Sequence, residues 1–189
     1  MQWQQLGGSQ EKNRRAGTEN VAGAVGMAKA LELAYNEFDS RNAHYRSLRD
    51  KLLSGIPERV PYVQVTGSDI LPSPAPGSGG GGEGTLDARI PNNASFCFEY
   101  LEGEAVLMAL DLAGVAASSG SACTSGSLEP SHVLTAMGIP EDLARGSMRL
   151  TVGHGNTAEQ IDYLLDILPG IVSRLRSLNP TWPERAAGR

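Results

Sequence analysis

Several residue and segment types are scarce in this chain of 189 residues, and each absence excludes a class of protein. Aromatic residues make up only 5% of the chain. The two cysteines are too few for the disulfide framework of a small secreted protein. No run of 18 consecutive apolar residues is present, so the sequence predicts no membrane span. The polar N-terminal residues Met1–Arg15 lack the apolar core of a signal peptide. We therefore expect a cytoplasmic protein.

The charge balance of the chain is acidic. Lysine and arginine number 16 against 21 aspartates and glutamates, which gives a formal net charge of −5. Binding to nucleic acid needs a basic surface that neutralises phosphates, so we expect no nucleic-acid partner. The hydrophobic fraction of 40% and the chain length are sufficient for one domain with a real core, with room for an appendage.

The N-terminal part of the chain has the apolar spacing of a helix over residues 19–53. Thr18 is the predicted N-cap, and a break is predicted near Asp39–Asn42. Gly55 and Pro57 are expected to stop the helix. The apolar residues at helical spacing are Leu31, Ala34, Tyr35, Phe38, Tyr45, Leu48 and Leu52.

The rest of the chain alternates short strands with helices. The predicted strands are Tyr62–Thr66, Ala94–Phe98, Val115–Ala117 and Ser147–Val152. The predicted helices are Gly103–Ala113, His132–Met137, Glu141–Arg145 and a C-terminal helix from Thr157, which has a capping-box sequence and a kink expected at Pro169. Strands between helices predict a small α/β or α+β layer structure.

A glycine-rich segment, SPAPGSGGGGEG, occupies residues 73–84. It has almost no apolar surface to offset its ordering entropy, so we predict a flexible surface loop over residues 67–90. A phosphate-binding loop is the alternative, but the G-x-x-x-x-G-K-[ST] pattern is absent. The residues after Asn179 are expected to form a frayed tail.

Cys123 is the first candidate for chemistry. It lies among small polar residues in SSGSACTSGS, residues 118–127, which leave a thiol accessible. The alternative is an unreactive thiol in a serine-rich turn. Cys97 differs, because it lies between Phe96 and Phe98 in a predicted strand and is expected to behave as a small hydrophobe.

Arg149 is the second candidate, a lone charge within the strand sequence SMRLTV. Strand alternation places Met148 and Leu150 on one face and Arg149 with Thr151 on the other. An arginine held there suits bidentate recognition of a carboxylate. The alternative is a solvated outer face of the sheet.

The segment Arg14–Thr18 is the third candidate. Two cations, a glycine and a hydroxyl before a helix could bind an anion, although an ordinary helix cap with solvated charges explains the same residues. The three histidines are scattered and show no metal-ligand spacing with the cysteines, so we predict no metal site.

Taken together, these motifs resemble the cysteine desulfurases of the class V aminotransferase family. Residues Gly7–Gly23, with RAGTEN, resemble the stretch that opens the small domain of that family, and Ser118–Gly138 resemble its catalytic-cysteine loop. Three further segments follow in the same order: Asn92–Phe98, Glu102–Asp111 and Ser147–Gly153.

The resemblance implies the C-terminal domain of a pyridoxal-phosphate-dependent transferase of fold type I. It implies conversion of L-cysteine to L-alanine with a persulfide on Cys123, for iron-sulfur cluster or thio-cofactor synthesis. Arg149 would hold the substrate carboxylate, and Thr18 would contact the cofactor phosphate of the partner subunit in a homodimer. A sulfur-acceptor protein is the implied partner.

Two features depart from the family pattern. His154 stands where the family commonly has an arginine, and the Schiff-base lysine of the family has no counterpart. The lysines of this chain, Lys12, Lys29 and Lys51, lack its Ser-x-His-Lys setting. The isolated chain is therefore expected to be inactive.

These departures lead to a prediction of domain organisation. Residues 1–18 are expected to be a remnant of the junction with the cofactor domain, 19–178 the small C-terminal domain, and 179–189 a tail. Two alternatives to a desulfurase portion remain at this point: a cofactor-free persulfide carrier that uses Cys123, and an inactive interaction module.

Overall fold

The computed structural model describes residues 7–12, 14–67, 89–119 and 130–182. The chain divides into two compact units, Met1–Ser40 and Arg41–Arg189. Both contain helix, and the described strands are short, which agrees with the predicted mixture of helix and sheet. No helix within these described residues is both long enough and apolar enough to cross a membrane.

The first unit contains a short hairpin and a helix. Strands β1 (Ser9–Gln10) and β2 (Arg15–Ala16) pair antiparallel, and helix α1 follows at Val21–Asn36. None of the α1 residues is buried, so the predicted apolar stripe is exposed along this helix. The stripe becomes buried only at Leu48 and Leu52, in the following helix.

The predicted N-cap at Thr18 is wrong. Asn20 caps α1, and its side-chain oxygen accepts a hydrogen bond of 2.9 Å from the Gly23 backbone N–H. An asparagine caps at least as well as a threonine, so the helix starts two residues later than the sequence indicated. The Thr18 side chain is consequently not used as a cap.

Helix α2 (Phe38–Arg59) is longer than predicted. The break from α1 falls at Glu37, just before the predicted Asp39–Asn42, and α2 continues through Gly55 and Pro57. Gly55 allows close packing, because a Cβ there would lie 2.8 Å from Leu165 Cδ1. Burial of this part of α2 compensates for the helix-breaking tendency of the two residues.

The second unit contains a three-stranded antiparallel sheet with the order β3–β4–β5. The strands are Val63–Val65, Asn93–Phe98 and Ser147–Thr151, which confirms three of the four predicted strands. The fourth, Val115–Ala117, is wrong. In its place Ser118 forms an isolated antiparallel bridge with Arg149 on the free edge of β5.

The main core lies on one face of this sheet. Phe96 and Phe98 are fully buried there against apolar residues of α2, helix α3 (Gly103–Leu112) and helix α6 (Ala158–Leu178). Cys97 points to the opposite face and packs near helices α4 (His132–Ala136) and α5 (Glu141–Arg145). The predicted alternation within β4 is therefore confirmed.

Helix α6 begins with the predicted capping box of Thr157 and Gln160, and it continues through Pro169. The chain beyond Asn179 is better fixed than predicted as far as Trp182, which is buried. The guanidinium of Arg176 lies 4.9 Å from the Trp182 ring and donates to the carbonyls of Pro61 and Tyr62. These contacts attach the end of α6 to the chain before β3.

The predicted flexible loop falls mainly on residues 68–88, which lie outside the described residues. Its flanks are described. Arg89 Nη1 donates to the Thr66 carbonyl at 2.7 Å, and the buried Arg49 donates to the carbonyls of Arg89 and Ile90. Arg89 thus joins the chain on either side of the glycine-rich segment, and Arg49 attaches the flank after the segment to α2.

We expect Gly146→Ala to destabilise the second unit. A Cβ at Gly146 would lie 2.0 Å from the Phe98 carbonyl oxygen, and backbone atoms cannot move aside cheaply. The free energy of unfolding, measured by denaturant titration, should fall by about 1–3 kcal/mol. Gly155→Ala is the matched control, since nothing lies within 4 Å of its Cβ position. Equal stability of the two variants would contradict this packing.

Candidate functional site

A cavity of about 390 Å³ opens beside the sheet face that carries Arg149. Strands β4 and β5 supply its floor, α4 supplies one wall, and the chain on either side of the glycine-rich segment supplies another. The lining residues with polar side chains are Thr66, Arg89, Asn93, Ser95, Ser131, Ser147 and Arg149.

Arg149 is exposed on β5, directly opposite Ser95 of β4. Its neighbours Met148 and Leu150 are buried in the main core, which confirms the predicted division of this strand into two faces. Burial of Met148 and Leu150 thus fixes the strand, and the Arg149 guanidinium lies at the cavity. This placement favours a binding role over a simple solvated face.

Ser118 connects Arg149 to the segment that follows α3. Its backbone N–H and carbonyl pair with the Arg149 carbonyl at 3.1 Å and the Arg149 N–H at 2.6 Å. The Arg149 Nη2 also donates to Ser118 Oγ at 3.3 Å. Three hydrogen bonds therefore hold these two residues together.

The cavity is cationic. Its described lining contains two arginines and no aspartate or glutamate, and no carboxylate of the described residues pairs with Arg149. The Arg149 guanidinium has only donors, and the hydroxyl groups that line the cavity can donate as well, so the lining can satisfy a planar anion. The arrangement suits a carboxylate of small size.

Cys123 lies outside the described residues. The described residues on both sides of the Cys123 segment do contribute to the site. Ser118 is hydrogen-bonded to Arg149, and the buried Ser131 lines the cavity. The sequence indicated Cys123 and Arg149 as separate candidates. The structure shows that residues 118–127, the segment that contains Cys123, begin at Ser118 beside Arg149.

Sequence reasoning missed six of the seven polar lining residues, namely Thr66, Arg89, Asn93, Ser95, Ser131 and Ser147. Strand alternation placed Ser95 on the face away from the phenylalanines, which is a partial signal. Its position opposite Arg149 depends on the register of β4 against β5, and single-strand patterns do not contain the register.

Cys97 occupies a different environment. It is fully buried on β4, and this burial raises the pKa of its thiol to about 11. A thiol with such a pKa contains almost no thiolate at neutral pH. Burial and protonation therefore both oppose a nucleophilic role for Cys97.

We expect iodoacetamide to modify Cys123 much faster than Cys97 near pH 8. The small polar neighbours of Cys123 in the sequence predict an accessible thiol, whereas Cys97 is buried and remains protonated until the pH approaches about 11. Timed alkylation followed by peptide mapping measures both rates in the same sample. Faster modification of Cys97 would overturn the assignment of Cys123.

The third candidate, Arg14–Thr18, belongs to the first unit. Arg15 forms an ion pair of 2.5 Å with Glu19, so one of the two cations is compensated. Thr18 is exposed, and no side-chain hydrogen bond of Thr18 is present among the described residues. Its hydroxyl is therefore available to a ligand, while the helix cap itself is supplied by Asn20.

No group of three histidine, cysteine, aspartate or glutamate side chains is placed to hold a metal ion in the part of the chain that the structure describes.

Comparison with known sequences shows which proteins the chain resembles. The aminotransferase class V family model matches residues 83–164. A cysteine desulfurase of Gluconacetobacter diazotrophicus is 45% identical over 183 residues, which are 97% of this chain and 42% of that protein. The cysteine desulfurase NifS of Azotobacter vinelandii is 46% identical over 93% of this chain and 40% of its own length.

Solved structures give the same result for the fold. A NifS-like protein aligns with a TM-score of 0.71 and 29% identity, over 93% of this chain and 40% of that structure. A NifS-like protein from Rickettsia africae aligns with a TM-score of 0.69. The chain is similar to a portion of the cysteine desulfurases of the class V aminotransferase family. It spans about two fifths of the length of the curated relatives it matches.

Similarity to this family implies pyridoxal phosphate, which its enzymes hold on a lysine. The described cavity has no lysine in its lining. Lys51 pairs with Asp162 at 2.6 Å and Lys29 pairs with Glu32 at 2.7 Å, both on helix surfaces, and Lys12 is exposed beyond β1. The residues present do not fit the covalent attachment of the cofactor.

Proposed function

We propose that this chain is the substrate-binding and sulfur-accepting portion of a cysteine desulfurase. The observation that carries the proposal is the cationic cavity. There Arg149 is hydrogen-bonded to Ser118, the first residue of the segment 118–127 that contains Cys123. The similarity to curated cysteine desulfurases supports it. The substrate is L-cysteine and the carbon product is L-alanine.

Arg149 binds the carboxylate of L-cysteine in this proposal. Its guanidinium can donate two parallel hydrogen bonds, and no neighbouring carboxylate among the described residues competes with the substrate. Ser118 accepts a third N–H from the same guanidinium and limits its rotation. The substrate is thus fixed by the end that does not react.

Cys123 accepts the sulfur. Its thiolate forms an S–S bond with the substrate sulfur as the Cβ–S bond of the substrate breaks. The electron pair of the broken bond remains with the carbon skeleton, and a proton completes L-alanine, so no external oxidant is needed. The persulfide is then passed to a sulfur-acceptor protein for iron-sulfur cluster or thio-cofactor synthesis.

Pyridoxal phosphate would supply the activation of the Cβ–S bond, held by residues outside this chain. In the homodimer of this proposal, Thr18 would contact the phosphate of the cofactor in the partner subunit. The exposed and uncommitted hydroxyl of Thr18 supports that role.

We expect this chain alone not to attach pyridoxal phosphate covalently, because the three lysines lie outside the cavity. The chain is incubated with the cofactor, reduced with borohydride and mapped by mass spectrometry. Sparse labelling spread over several amines is expected. Stoichiometric labelling of one lysine would contradict the account of the cofactor.

Complementation in trans tests the proposed function. The chain is mixed or co-expressed with the unmatched portion of the Gluconacetobacter diazotrophicus relative, which contains the rest of that enzyme. L-cysteine and pyridoxal phosphate are added, and L-alanine is measured. Alanine formation that needs both polypeptides supports the proposal. Persulfide transfer to Cys123 from a chemical donor, with no alanine in any mixture, would indicate the carrier alternative instead.

A further inference from the structure

A pair of hydroxyl groups lies at the floor of the cavity, beside Arg149. Thr66, just after β3, is 2% exposed, and its Oγ1 lies 2.7 Å from Ser95 Oγ on β4. The backbone fixes the pair as well, because the Thr66 N–H donates to the Ser95 carbonyl at 2.8 Å. The two hydroxyls are thus held together by the strands that carry them.

The direction of the hydrogen bond between them follows from burial. Among the described residues, Ser95 Oγ is the only acceptor within reach of the Thr66 hydroxyl. If Ser95 donated to Thr66 instead, the proton of a buried hydroxyl would have no acceptor there, which is unfavourable. Thr66 is therefore the donor and Ser95 the acceptor.

This direction determines what Ser95 can do. Its oxygen already accepts from Thr66, and no described residue accepts its O–H. Ser95 is half-buried and lines the cavity, so its proton is directed to solvent or to a ligand. Ser95 is also the direct partner of Arg149 in the register of β4 and β5, which places both side chains on one face of the sheet.

We infer that the Ser95 hydroxyl is a second donor, beside Arg149, to the carboxylate that this cavity binds, and that Thr66 orients it. The inference rests on the proposed function for the identity of the ligand. A guanidinium and an oriented hydroxyl satisfy more of the lone pairs of a carboxylate than a guanidinium does by itself. Ser95 is accordingly a substrate-binding residue, and Thr66 is a positioning residue.

Titration of the full chain with acetate tests the inference without any cofactor. The side-chain Nε–H signal of Arg149 in a nitrogen-15 NMR spectrum reports binding of the carboxylate, and Arg149→Lys identifies that signal by its loss. Ser95→Ala should raise the acetate Kd about tenfold, the scale of one hydrogen bond to a charged group. Ser95→Thr retains a hydroxyl, so its acetate Kd should stay within about threefold of that of the original chain.

Thr151→Ala is the matched control. Thr151 lies two residues from Arg149 on the same face of β5, outside the cavity lining, so its removal should leave the acetate Kd unchanged. Thermal unfolding of each variant confirms that the fold is retained. An unchanged Kd for Ser95→Ala, or no saturable shift of the Arg149 signal in the original chain, would overturn the inference. Neither result bears on alanine formation, which decides the proposed function separately.

Discussion

Cys123→Ser is expected to abolish sulfur transfer in the complemented enzyme. A serine hydroxyl is close in size to the thiol, but it cannot form the S–S bond of a persulfide. The chain offers no replacement nucleophile, because Cys97 is fully buried and its thiol remains protonated at neutral pH. L-alanine formation from L-cysteine should therefore fall to the background rate of the mixture without this chain.

Cys97→Ala is the matched control for this result. It removes the other cysteine from a buried position and leaves Cys123 in place. Some stability is lost through the small cavity that the change creates, but the remaining folded protein should still transfer sulfur. Full alanine formation with Cys123→Ser would refute the assignment of Cys123.

Arg149→Lys is expected to weaken the binding of L-cysteine by about 1.5–3 kcal/mol, the range for a charged hydrogen bond. The KM for L-cysteine in the complemented enzyme should then rise by about 10- to 150-fold. The lysine keeps the charge, but its ammonium cannot reproduce the planar pair of donors. It also cannot reproduce the contact of the guanidinium with Ser118 Oγ.

A steady-state comparison of kcat and KM separates this effect from a general loss of activity. An interaction with the unreacting carboxylate stabilises substrate and transition state alike, so KM should change more than kcat. Arg174→Lys is the control, since Arg174 is exposed on α6 and lies outside the cavity lining. An unchanged KM for Arg149→Lys would remove this residue from the binding site.

Local sequence pattern predicted the parts of this fold that depend on neighbouring residues. The alternation of Met148, Arg149 and Leu150 gave the two faces of β5, and the Thr157 capping box gave the start of α6. The apolar residues of β4 indicated which of its faces is buried. Each of these features is decided within a few positions along the chain.

Contacts between distant residues were not predictable in the same way. The bridge between Ser118 and Arg149 joins positions 31 residues apart, and only the assembled sheet edge shows it. The burial of Arg176 depends on carbonyls more than 100 residues earlier in the chain, at Pro61 and Tyr62. The same holds for the Thr66 and Ser95 pair, whose chemistry depends on strand register.

Mass spectrometry of the Cys123 peptide tests the central claim most directly. The complemented enzyme is incubated with L-cysteine and no sulfur acceptor, treated with an alkylating agent that preserves persulfides, and digested. The account predicts one added sulfur atom on the peptide that contains Cys123, in proportion to the L-alanine formed, with none on the Cys97 peptide. Formation of L-alanine with no added sulfur on Cys123 would contradict it.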